Sequence, residues 1–197
     1  IFSDINLTQS FKINAFTIND KSEVGWFYCS ASSTEIDRYV IYNYADQTWI
    51  YGSLSRTAWL DSGIENYPRA VSSGYIYQQE VGFDDDGTPM TNVFIESSDF
   101  DIGDGEQFSF IRRIIPDFKF LSNSGGGKVN IVVKTRNFPG DSLTTNSTNS
   151  ISSTTQQANI RARGRQAVLR FESDDDDTTA NTSVGWRLGA TRLDVKT

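Results

Sequence analysis

Residues 161–173 read RARGRQAVLRFES, and their spacing decides the fold. Side chains two apart on an extended strand share one face, so Arg161, Arg163 and Arg165 form a single basic stripe. Asp174, Asp175, Asp176 and Asp177 follow, and then VGWRLGATRLDV at 184–195. The segment reads as a basic strand edge, an acidic hairpin tip and a returning strand. Gly164 inside the stripe removes a side chain, which marks a bulge or a close backbone approach.

The same texture runs through the chain. VGWFYCSA (24–31), DRYVIYNY (37–44), TWIYGSLS (48–55), GYIYQQEV (74–81), TNVFIES (91–97), QFSFIRRII (107–115) and KVNIVVKTR (128–136) are strand-length and rich in β-branched and aromatic residues. None carries a sustained helical period. Turn residues fall between them at Asp46-Gln47, Asp86-Gly87, Asp104-Gly105 and Gly125-Gly126-Gly127, where hairpins require them. The chain is therefore expected to be all-β, with Trp26, Tyr39, Ile41, Val93, Ile95, Val132, Leu169 and Trp186 largely buried.

Residues 20–62 have the pattern of one β-propeller blade, with Trp49 and Trp59 free to pack between blades, and 63–121 can hold a second. A propeller needs at least about four blades, so 1–121 are expected to be the last blades of a ring whose earlier part precedes Ile1. After the glycine run, 122–197 read as a small antiparallel sheet or sandwich. Within it DSLTTNSTNSISSTTQQ (141–157) has almost no apolar residues and is expected to be a long polar loop.

Composition narrows the chemistry. No apolar run approaches the ~20 residues of a membrane helix. The single cysteine, Cys29, excludes an internal disulfide framework and sits in an apolar run that suits a buried thiol. The chain has no histidine, which removes the commonest general base and metal ligand. Residues 1–107 carry 17 acidic against 5 basic residues and 108–197 carry 8 against 13, within a net charge of -7. An acidic body repels nucleic acid rather than capturing it, and suits a duct through which DNA slides.

Three constellations could carry chemistry. Asp84, Asp85, Asp86 and Gly87 suggest a cation loop but lack calcium-loop ligand spacing, and read as a charged turn. Asp99, Asp101, Asp104 and Glu106 offer paired carboxylates, a pattern common in any acidic β-protein. Tyr28, Tyr39, Tyr42, Tyr44, Trp49 and Tyr51 suit either inter-blade packing or a sugar-stacking surface. No catalytic, cofactor or metal residues stand out. The partners of the basic stripe are an acidic tip of Asp174 to Asp177 on a neighbouring subunit, or Glu172 and Asp194 across strands of the same one. Arg187 and Arg192 are further cationic candidates.

RARGRQ (161–166), AVLR (167–170) and WRLGATRLDV (186–195) resemble the C-terminal signature of the tail nozzle proteins of short-tailed bacteriophages, the tail tubular protein B family. RTAWLDSG (56–63), GYIYQQEVGFDDDG (74–87), FIESSDFDIGDGE (94–106) and RRIIPDF (112–118) are similar to the same family, so the resemblance spans residues 24–197. It implies a structural virion protein with no catalytic residues and no cofactor, in a ring, expected to be a hexamer, that joins an adaptor or tubular protein above it and, in some tails, fibres. The ring retains the genome and gives DNA its exit channel. The alternative from the aromatic residues is a receptor- or carbohydrate-binding β module.

Overall fold

The computed structural model describes residues 3–63, 65–85, 88–90, 92–102, 105–121, 127–174 and 185–196. The chain is all-β: among the described residues nineteen strands accompany two short 3₁₀ turns, Leu7–Lys12 and Asn19–Lys21. It divides into two compact units, Ile1–Val81 and Gly82–Thr197.

The first unit opens with strands β1 (Asn14–Ile18), β2 (Glu23–Tyr28), β3 (Arg38–Asn43) and β4 (Thr48–Ser53), which pair antiparallel in chain order. The turn expected at Asp46-Gln47 joins β3 to β4. Asn43 Oδ1 accepts from the Ala45 and Asp46 amides, and Gln47 takes φ 56°, as a tight Asx-type hairpin turn requires. One face of the sheet is covered. Phe16, Ile18, Phe27, Cys29 and Ile36 form its core, with Trp59 packed against them. Burial pushes the Cys29 thiol pKa up, which disfavours the reactive thiolate. The Phe16 and Phe27 rings stack at 4.3 Å. That approach is possible because a Cβ on Gly25 would lie 2.3 Å from the Phe16 ring. Trp59 Nε1 donates to the Thr17 carbonyl at 2.9 Å, so Trp59 belongs to the unit's own core and is not free for a neighbouring blade.

Strands β5 (Ala58–Leu60), β6 (Arg69–Ser72) and β7 (Tyr75–Gln78) complete the first unit as a separate three-stranded sheet. In the second unit β8 (Asp84–Asp85) and β9 (Thr88–Pro89) pair with each other. The remaining strands are β10 (Phe94–Glu96), β11 (Phe100–Asp101), β12 (Ser109–Ile115), β13 (Phe118–Phe120), β14 (Lys128–Arg136), β15 (Thr144–Ser152), β16 (Ala158–Gly164), β17 (Gln166–Ser173), β18 (Trp186–Leu188) and β19 (Arg192–Lys196).

They build two main antiparallel sheets. One runs β10-β17-β14-β15 with β11 also on β17, the other runs β16-β12-β19, and β13 pairs with β18 alone. Val129, Ile131 and Val133 of β14, Ile111 and Ile114 of β12, Ile160 and Ala162 of β16, and Leu169 and Phe171 of β17 meet in one core. Alternate residues of these strands point inward because the strand period is two. The result is a sandwich.

Four expectations are corrected. The boundary expected at 121/122 falls inside the second unit, because β12 pairs with β16 and β19 and β13 with β18. Residues 63–121 do not form a second blade: β6 and β7 lie in the first unit, and β10 to β13 pair with strands 44 to 86 residues later. The polar stretch 141–157 is no simple loop, since Thr144–Ser152 is strand β15, paired along β14 from Lys128 to Thr135. Threonine suits a pleated backbone, Ile151 anchors the strand at 1% exposure, and β14 supplies the ladder. Val132 and Leu169 are buried and Trp26, Tyr39, Ile41 and Trp186 half-buried, but Val93 and Ile95 are exposed at 40% and 50%.

Candidate interaction surface

Strand β16 alternates as the spacing requires: Ala158, Ile160, Ala162 and Gly164 are buried, while Arg161 and Arg163 are exposed. Arg165 is half-buried and lies beyond the strand, at the corner where the chain leaves one sheet for the other. Gly164 makes that corner possible. A Cβ there would sit 2.7 Å from Thr135 Cβ, so the close backbone approach read from the sequence is present. Thr135 Oγ1 donates to the Arg163 carbonyl at 3.0 Å, and the Arg165 amide donates to the Arg136 carbonyl at 3.2 Å.

The corner brings a ring between two of the arginines. The guanidinium carbons of Arg163 and Arg165 lie 4.8 and 5.0 Å from the Phe108 ring centre, and Arg165 is also 5.1 Å from Phe138. Each contact contributes about 0.5–1 kcal/mol at such exposed sites. Among the described residues Arg161, Arg163, Arg165, Arg187 and Arg192 form no ion pair. The acids expected to meet them across strands are occupied: Asp194 pairs with Arg113 at 3.2 Å and Glu172 with Arg170 at 2.5 Å.

Asp174 sits just past the other end of β17, where its amide donates to the Lys128 carbonyl and its carboxylate accepts from Ser150 Oγ at 3.3 Å. Asp175, Asp176 and Asp177 lie outside the described residues. Nine residue steps at about 3.3 Å separate Arg165 from Asp174, roughly 25–30 Å. Arg165 and Asp174 therefore flank opposite ends of β17, while Arg161 and Arg163 lie on β16 in the other sheet.

The acidic constellations are held internally. Asp99 pairs with Arg136, Asp101 accepts from Gln166 Nε2 at 2.8 Å, and Asp104 lies outside the described residues, as do Asp86 and Gly87. Among the described residues no group of three or more His, Cys, Asp or Glu side chains could hold a metal. Beside them Glu96 accepts from Lys134 at 2.7 Å. That hydrogen bond, with the Lys134 and Arg170 charges and against partial burial, holds the Glu96 carboxyl below the usual carboxylate range.

In the first unit the uncovered face of the β1–β4 sheet carries aromatics. Trp49 lies 4.7 Å from Tyr42 and 6.5 Å from Trp26 between ring centres, and Trp49 and Tyr51 are 58% and 69% exposed. Of the aromatic residues singled out in the sequence, Tyr28 is buried and Tyr39 half-buried, so Tyr42, Tyr44, Trp49 and Tyr51 remain as a surface. Sequence reasoning missed the pairing of Arg163 and Arg165 with Phe108; the signal is non-local, since Ser109 faces Gly164 and Phe110 faces Arg163 in the β12/β16 register. No family model matches the chain, and no curated protein matches its sequence.

Proposed function

We propose that the chain is the C-terminal β-region of a tail nozzle subunit of a short-tailed phage, a structural virion protein that assembles into a ring, as a hexamer, around the DNA exit channel. The observation that carries this reading is a separation of charge: among the described residues Arg161 and Arg163 on β16 and Arg165 at the corner before β17 form no ion pair, while Asp174, the first of the aspartate run, lies just past the far end of β17. Roughly 25–30 Å of strand separates Arg165 from Asp174 within one subunit. The complement of each is then the other end of a second copy. Such a contact joins unlike patches, and unlike patches that close produce a ring.

The β1–β4 meander has the strand order of one propeller blade, and its aromatic outer face is the surface that a neighbouring blade covers. The acidic N-terminal half limits adhesion of passing DNA. The role is structural, without a reaction, a cofactor or a small-molecule substrate. An adaptor or tubular protein adjoins the ring, and fibres attach where the tail carries them. Reversing charge at Arg163→Glu with Arg165→Glu tests the reading. Ring formation should weaken while the far-ultraviolet spectrum stays that of a β-protein. Each exposed pair is worth only about 0–1 kcal/mol, so the effect depends on repetition around the ring. Unchanged assembly of the double variant rejects the charge-paired ring.

A second reading is favoured by one observation, the exposed Trp49 and Tyr51 beside the half-buried Tyr42, whose ring faces are of the kind that stack on sugars. It makes the first unit a receptor- or carbohydrate-binding module. A monomer whose affinity for a glycan is lost in Trp49→Ala supports it over the ring.

A further inference from the structure

A polar cleft of about 420 Å³ opens beside the Arg165 corner, within the range of small-ligand sites. Its floor is the close approach of Gly164 to Thr135, and its walls are the loop leaving β14, the start of β15 and Arg163. The β14/β15 ladder slips by one residue between Val133 and Lys134, which pair with Ser147 and Thr145. Asn146 is the extra residue of that bulge, and bulges re-aim side chains beside sites. Its Oδ1 lies 2.7 Å from Thr135 Oγ1, whose single proton is shared between this oxygen and the Arg163 carbonyl, and the Asn146 Nδ2 donors have no partner among the described residues.

The groups that line the cleft are matched to an unusual partner. Arg163 supplies a planar fork of donors, Asp141 supplies only acceptors, and Asn137, Ser142 and Thr144 supply both. None of these side chains has a hydrogen-bond or ion-pair partner among the described residues. Phe108 and Phe138, at 39% and 54% exposure, flank Arg163 and Arg165 with ring faces. A ligand that fits must carry an anionic group for Arg163 and several hydroxyls that donate to Asp141. A phosphodiester backbone lacks the donors and is repelled by Asp141.

We propose that this cleft binds an acidic saccharide of the uronate class: the sugar carboxylate is held by Arg163, and ring hydroxyls are shared between Asp141, Asn146 and the Ser142 and Thr144 hydroxyls. The site lies in the second unit and shares Arg163 with the subunit contact proposed above, so a bound uronate competes with a neighbour's aspartates for it; assembly is read from mass and sugar binding from titration, so the two readings fail separately. It implies that the protein meets an acidic polysaccharide.

The test titrates the chain with tetrasaccharides of hyaluronan, alginate and polygalacturonate, with the same sugars after reduction of their carboxylates to alcohols, and with an oligothymidylate. At least one uronate tetrasaccharide should bind and shift the amide resonances of Thr144 and Asn146, and carboxyl reduction should weaken it about tenfold or more. Arg163→Gln should reproduce that loss, and Asp141→Asn should weaken the reduced sugar as well as the acid. Both residues are exposed, and far-ultraviolet spectra verify that the variants keep the fold. Absence of binding by all three acids at millimolar concentration overturns the proposal, as does undiminished binding by Arg163→Gln. Preferential, steeply salt-dependent binding of oligothymidylate also overturns it and assigns the corner to nucleic acid.

Discussion

The two units solve the problem of covering a β-sheet differently. In the second, two sheets face each other, and Ile102, Ile111, Ile114, Ile131, Ile151, Ile160, Val129 and Val133 are all below 2% exposure or at it. In the first, only Phe27, Cys29 and Ala70 among the described hydrophobic residues reach that depth. The β1–β4 sheet has one covered face, and its edge strand β4 leaves Trp49, Ile50 and Tyr51 exposed at 58%, 43% and 69%. That strand carries no charge, proline or bulge, the devices by which an unpaired edge resists addition of another strand. The second unit is closed by its own residues, whereas the first presents a face and an edge that suit a further β-surface.

The comparison breaks most readily in the two cores. Phe27→Ala should cost about 3–5 kcal/mol and Ile131→Ala about 2–5 kcal/mol by cavity formation. With fluorinated tryptophan as the reporter, Phe27→Ala should move the signals of Trp26 and Trp59 and spare Trp186, and Ile131→Ala should do the reverse. Coupled movement of all of them would show that the cores are not separate.

A smaller effect tests how the sandwich corner closes. Gly164→Val places atoms where Thr135 Cβ already stands, and overpacking of this kind costs about 1–3 kcal/mol. Chemical denaturation checks it, and the companion change Thr135→Ala should restore part of the loss. No loss in Gly164→Val would mean that β14 and β16 are free to separate there.

Glu96 sharpens the electrostatic side. Its folded pKa is depressed, so its contribution is present above the unfolded carboxyl value near 4.3 and fades as pH falls through the folded value. Lys134 and Glu96 remain 23% and 32% exposed, so the contribution is at most about 1 kcal/mol. Denaturation of the wild type and Glu96→Gln should differ at pH 7 and converge in acid; a difference that grows in acid has the wrong sign. The smallest effect belongs to the open face. Trp49→Ala should alter the stability of the isolated chain by only about 0.5 kcal/mol, and a loss of several kcal/mol would mean that Trp49 is already packed.

Much of this was legible in the sequence. The β-branched and aromatic runs announced strands, the alternation of buried and exposed residues along β16 follows the two-residue period of its arginines, and Gly164 announced a close approach. What escaped was non-local. Phe110 and Ile111 look like any apolar run, and nothing in them says that their partners are Arg163 and Ala162 on one side and Lys196 and Val195 on the other. Composition marked 141–157 as unable to order itself, because it counts the apolar surface a segment brings and ignores the ladder a neighbour offers. Asn146 and Arg163 meet at the cleft only because β15 bulges and β16 turns a corner.

The most direct measurement is the mass of the chain in solution by sedimentation at low and high salt. A charge-paired ring predicts a closed species, six copies, that loses mass as salt rises, because exposed ion pairs are screened. A species that remains a monomer at low salt and high protein concentration would contradict it.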